Sequence, residues 1–144
     1  MVLPKTTGKG TELASIGGME CYFGSCSLPE GNPAGKSAVV MFNIPEVGIS
    51  FKAPFAGVDS DHCDLASLLA LLEFIDSNQK YFSKHTYQIY GNNQRIINQV
   101  NSRETPPPMF IGLLKKASVY REKYRFSLEW VPTRENPAFD ILFD

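Results

Sequence analysis

The chain has 144 residues, enough for one compact domain with a sizeable core and too few for two comfortable ones. It carries 14 Lys and Arg against 15 Asp and Glu, so no global field is available to hold a polyanion or an acidic membrane surface. Any nucleic-acid contact has to come from a local patch. The three cysteines, Cys21, Cys26 and Cys63, are odd in number, show no metal-ligand spacing and read as buried reduced thiols. No stretch combines a charged n-region with an apolar h-region, and no apolar run approaches about 18 residues. Neither export nor a membrane span is expected, and a cytoplasmic location is the default.

Met1 to Gly18 is rich in Gly and Thr and poor in large apolar residues, a composition that reads as a flexible leader of up to 18 residues, with one domain over 19–144. From Met19 the pattern changes. "MECYFGSC" is β-prone, "SLPEGNPAGK" is dense in turn residues and "SAVVMFNI" is β-branched and aromatic, which predicts two strands joined by a long loop. Pro45 and Gly48 punctuate the next turn. In "ISFKAPF", Ile49, Phe51 and Ala53 alternate with Ser50 and Lys52, the period-2 pattern of a third strand.

The period then becomes helical. In "DLASLLALLEFID", Leu65, Leu68, Leu69, Leu72 and Ile75 follow i, i+3, i+4, i+7, with Ser60 or Asp61 placed to cap. "HTYQIYG" reads as a strand. "NNQRIINQVN" opens with two Asn suited to an N-cap and sets Ile96, Ile97 and Val100 on one helical face. After "TPPP", the spacing of Phe110, Leu113, Leu114, Ala117 and Tyr120 predicts an amphipathic helix over Met109–Tyr124. "RFSLEWV" alternates Phe126, Leu128 and Trp130 as a strand, and "RENPAFDILFD" offers Asn136 as a cap and Pro137 as the first residue of a shortened C-terminal helix. The order β-β-β-α-β-α-α-β-α predicts an α/β domain. Its mixed five-stranded sheet has three antiparallel strands followed by two parallel ones, with helices on both faces, because helix-connected strands run parallel through right-handed crossovers.

That order, together with four local stretches, resembles the ribonuclease H family over most of Met19 to Asp144. "GSC" with "GNPAG" (Gly24–Cys26, Gly31–Gly35) is similar to the family's first hairpin. "DLASLLALL" resembles its acid-led helix, "IYGNNQRIINQVN" its strand-to-helix stretch, and "EWVPTRENPAFDIL" its final strand, Asn-containing loop and short helix. The resemblance implies cleavage of the RNA strand of RNA–DNA hybrids by two divalent metals held on four carboxylates. The four positions fall here on Phe23, Asp64, Asn92 and Asp140. A phenyl ring binds no metal. Asp64 is one methylene, roughly 1.5 Å, shorter than the Glu of the family pattern. Asn92 offers a carbonyl oxygen without charge, and Asp140 matches the pattern. The histidine that many members place before the loop Asn is missing from "PTREN", and His62 and His85 lie elsewhere. Asp64 and Asp140 with one scissile phosphate leave two Mg²⁺ ions under-neutralised, whereas a single weakly held Mg²⁺ or Mn²⁺ on these two acids stays open. Glu20, Asp59 and Asp61 are close in sequence to the matched positions, but strand alternation turns Glu20 to the other face.

Each position also has a plain structural explanation. Asp64 is an early-helix acid, favoured by the helix dipole, and Asp140 is of the same kind. Asn92 or Asn93 suits a cap. Phe23 and Trp130 suit a core or a filled cleft. Lys115, Lys116, Arg121, Lys123 and Arg125 form the one basic cluster, read as a solvated helix face or as a footprint for RNA or an RNA–DNA hybrid. The expectation is a ribonuclease H-like binding or interaction module without two-metal nuclease activity, needing no cofactor. The alternatives are a divergent metal-dependent ribonuclease H, and a domain whose surface serves a protein partner or a second copy of itself.

Overall fold

The computed structural model describes residues 18–29, 37–82 and 86–143. Residues 1–17 of the expected leader, the Gly31–Gly35 turn and His85 lie outside them. Five strands form one sheet: β1 (Met19–Ser27), β2 (Ala38–Ile44), β3 (Ile49–Phe55), β4 (Tyr87–Gly91) and β5 (Phe126–Trp130), in the order β3-β2-β1-β4-β5. β1, β2 and β3 pair antiparallel, while β4 runs parallel to β1 and β5 parallel to β4, as the period switches in the sequence predict. Register sets the functional end of the sheet: Phe23 faces Phe42 across β1 and β2, and β4 reaches Tyr90 opposite Tyr22.

The helices are α1 (Ser60–Ser77), α2 (Gln79–Phe82), α3 (Gln94–Val100) and α4 (Ile111–Lys123). α1 lies against the sheet and also against α3 and α4, so it buries Leu65, Leu68, Leu69, Leu71, Leu72 and Ile75, more than a one-sided stripe. At about 1.5–3 kcal/mol per large apolar side chain, this helix is a principal source of core stability. Its cap is Asp59, one residue before the two candidates the sequence offers. The Asp59 carboxylate accepts from the His62 backbone N–H at 2.8 Å, and His62 Nδ1 accepts from the Val58 N–H at 3.1 Å. This reciprocal closure outcompetes a cap at Ser60 or Asp61.

Alternation along β1 divides the core. Met19, Cys21 and Phe23 face α1, among Phe42, Leu68, Leu72, Ile89 and Leu128. Tyr22 and Cys26 face the other side, where Met41 and Val39 pack against Ala138 and Phe139. That second face is covered by a 3-10 helix, Pro137–Phe143, in place of the expected short α-helix. Asn136 explains the tighter turn: its Oδ1 accepts from the Ala138 N–H and its carbonyl from the Phe139 N–H, an i to i+3 bond.

Three other expectations differ in detail. Cys21 and Cys63 are buried, but Cys26 is half-buried; all three are free thiols. Trp130 is 48% exposed because it ends an edge strand. On α3, Gln99 is more deeply buried than Val100. Among the described residues no helix is long and apolar enough to cross a membrane.

Candidate functional site

The C-terminal ends of β1 and β4 converge with the start of α1, the start of α3 and the loop before Pro137. Phe23 lies at the centre. Its side chain, 1% exposed, covers Gly91, where an added Cβ would stand 2.5 Å from the ring's Cζ. Only a glycine permits that approach. One residue on, a Cβ at Gly24 would meet the Phe139 ring at 2.6 Å and Asn92 Oδ1 at 3.4 Å. The two neighbouring glycine contacts show how tightly the aromatic rings fill both sides of the sheet here.

Asp64 stands on α1, next to the Phe23 face. Its Oδ1 accepts from Ser25 Oγ at 2.6 Å and its Oδ2 from Asn93 Nδ2 at 2.7 Å, so neutral donors occupy both oxygens. Burial pushes the Asp64 carboxyl above its ordinary range; the Ser25 and Asn93 bonds oppose that shift, and the nearby Asp61 charge adds to it. Beside it a small pocket of about 180 Å³ is lined by Ser25, Ser37, Asp59 and Cys63 among others. Burial raises the Cys63 thiol too, and the nearby Asp64 charge adds to the shift.

Asn93, one of the two offered caps, is the cap of α3. Its Oδ1 accepts from the Ile96 N–H at 3.2 Å, and its Nδ2 donates to Asp61 Oδ1 at 2.9 Å as well as to Asp64. Asp61 is then paired with Arg95 at 2.9 Å. Asn92 is engaged on the other side. It donates to Thr133 Oγ1 at 3.0 Å, and its Oδ1 accepts from Asn136 Nδ2 at 3.1 Å; the same nitrogen donates to the Phe23 carbonyl at 2.8 Å. Buried Asn136 thereby ties three segments together.

Of the four positions singled out in the sequence, Phe23 and Asn92 meet through Asn136, and Asp64 stands beside them through Ser25 and Asn93. Asp140 is exposed on the 3-10 helix of the opposite face. Among the described residues no group of three or more His, Cys, Asp or Glu is arranged to hold a metal. Glu20 accepts from Tyr22 on the face away from Phe23, as alternation requires, and Asp59 is committed to its cap. The residues missing from the sequence reading are Ser25, Thr133 and the linking role of Asn136. Ser25 was accessible in principle, since it is two residues beyond Phe23 on an alternating strand.

The basic cluster disperses. Arg121 donates to the Val100 carbonyl and to Asn101 Oδ1 and stacks over the Phe126 ring at 4.6 Å, while Lys123 pairs with Asp76 at 2.7 Å. Lys115 and Lys116 remain exposed on α4.

No protein-family model matches the sequence, and no curated protein matches it. Solved structures do match. RNase H1 from the halophilic archaeon Halobacterium salinarum NRC-1 is 21% identical over 86% of this chain and 92% of that one, with a TM-score of 0.69. LC11-RNase H1, isolated from compost and solved in complex with an RNA/DNA hybrid, is 14% identical over 88% of this chain and 99% of that one, at 0.66. The N-terminal RNase H domain of rv2228c from Mycobacterium tuberculosis is 16% identical over 85% and 95%, at 0.62. The chain is an α/β domain of mixed-sheet architecture. Its fold is that of ribonuclease H.

Proposed function

We propose that this is a ribonuclease H-like domain that has given up two-metal cleavage and works by binding, with nucleic acid as its ligand. The observation that carries the reading is Phe23: a phenyl ring lies buried over Gly91, at the position where the resemblance calls for a metal-binding acid. The remaining donors do not fit a metal pair. Asp64 is held on both oxygens by Ser25 and Asn93, Asn92 is neutral and engaged with Thr133 and Asn136, and Asp140 belongs to a turn that packs on the other face. Two divalent cations need more negative charge than two carboxylates supply. A core of mutually satisfied polar groups is what a structural centre needs, and a poor starting point for stripping ligands onto a metal.

Binding rests on the exposed Lys115 and Lys116 of α4 and on the near-neutral total charge, which makes any contact local. With about two or three phosphate contacts, affinity should fall with salt at a slope near −2 on a log–log plot, against about −10 for extensive binders. Fluorescence anisotropy with a labelled RNA–DNA hybrid at about 50 mM salt tests this. Saturable binding weakened by Lys115→Ala and Lys116→Ala, without strand cleavage, supports the reading. Cleavage that depends on Asp64 overturns it.

A further inference from the structure

Between the end of α3, the following loop and α4 runs an open groove of about 490 Å³, in the size range of small-molecule sites. It shares no lining residue with the Phe23 region. Its floor includes Gln99, which is 6% exposed and whose Oε1 is cut off from solvent without a hydrogen-bond partner among the described residues. An unsatisfied buried acceptor is costly, and a leucine would fill the same place on an amphipathic helix without that cost. Such a group needs a partner, and a ligand seated in the groove would supply one.

The rim supplies charge. Arg103 and Lys115 are exposed and line the groove, with Glu104 its single acid. The two ion pairs among the described residues are Arg95 with Asp61 and Lys123 with Asp76, so neither rim cation is in one. Arg121, behind the rim, bonds only neutral acceptors. Burial and then the Arg103 charge hold its pKa below the usual value. Ile111 and Leu114 give the groove an apolar wall.

We propose that this groove binds a nucleotide, with its phosphate on Arg103 and Lys115, its base edge on the Gln99 amide and its base face against Ile111 and Leu114. A glutamine amide matches an adenine edge, accepting from the exocyclic N6–H and donating to N7. Guanidinium and ammonium groups together suit a phosphate. Binding requires the amide to turn about its last side-chain torsion, which is broad and roughly two-fold in Gln, to bring the buried Oε1 to the ligand. The nucleotide is either free or one unit of an RNA strand. This deepens the nucleic-acid reading by naming the unit bound, and rests on it only through Lys115.

Calorimetric titration of the full chain with AMP, adenosine, inorganic phosphate and oligoadenylate tests the proposal. AMP should bind about tenfold or more tightly than either adenosine or phosphate. Arg103→Ala and Lys115→Ala should each weaken AMP about tenfold, and Gln99→Leu should do the same while raising the melting temperature of the free protein. Lys116, which does not line the groove, gives a control: Lys116→Ala should weaken the hybrid and leave AMP untouched, which separates a failure of the groove from a failure of the wider reading. Tighter binding of oligoadenylate than of AMP assigns the source to RNA, and equal binding assigns it to the free nucleotide. The proposal is overturned if AMP does not bind, binds no better than phosphate, or is indifferent to Gln99→Leu. Should Gln99→Leu fail to fold, exposed Arg103→Ala carries the test, and unchanged AMP affinity there overturns it equally.

Discussion

Phe23 and Asp64 occupy adjacent positions and are held by different forces, so their substitutions should behave differently. Phe23 sits among Phe42, Leu68 and Leu72 and covers Gly91. Truncation to Ala leaves a cavity that the backbone around Gly91 can close only in part, so Phe23→Ala should cost about 3–5 kcal/mol in chemical denaturation. Asp64 is the reverse case. Because its folded-state pKa is raised, mainly by burial, protonation favours the folded chain. Its contribution is therefore fully present below the unfolded carboxyl pKa of about 3.9 and is lost as pH rises through the higher folded value. Asp64→Asn keeps the shape, can still accept from Asn93 and can donate to Ser25. The wild type should lose stability relative to this variant across that window, and the two melting curves plotted against pH should diverge upward from about pH 4. Parallel curves would mean that Asp64 ionises freely.

At the scale of elements, the ends of helices are decided by side chains that meet across the chain. Replacing Asp59 with Ala removes the bond to the His62 N–H and should cost about 0.5–2 kcal/mol. Asn136 has more to lose. It bonds the Phe23 carbonyl, Asn92 and the Ala138 N–H, so Asn136→Ala should cost about 2–4 kcal/mol and raise hydrogen exchange first in the 137–143 helix and at the end of β4. The strands and α1 could be read in the sequence because alternation and the i, i+3, i+4 spacing are local. The caps were harder. The sequence offers Ser60 or Asp61, but the cap is Asp59, whose turn is closed by a ring nitrogen of His62 accepting from the Val58 N–H. The same limit hid the surroundings of Asp64, whose partners Ser25 and Asn93 are 39 and 29 residues away. The C-terminal turn differs in kind from the expected α-helix because Asn136 takes the first two free N–H groups itself and tightens the turn to 3-10.

For the molecule as a whole, the proposed function keeps the ribonuclease H fold without the two-metal chemistry that the resemblance implies. The sheet order, the parallel β1–β4–β5 half and α1 across its face make up a scaffold that needs no carboxylate at position 23 to stand. A fold hosts many functions, and the site decides among them. Here the centre is a web of neutral amides, a serine and the carboxyls of Asp64 and Asp61 beside a buried phenyl ring, while Lys115, Lys116 and Arg103 stand exposed on α4 and the loop before it. Binding and cleavage should accordingly dissociate. The measurement that bears most directly on this is strand cleavage of a labelled RNA–DNA hybrid by the wild-type chain with saturating Mn²⁺, run beside Asp64→Asn. We expect intact hybrid in both reactions; cleavage by the wild type that disappears in Asp64→Asn would contradict the loss of two-metal chemistry.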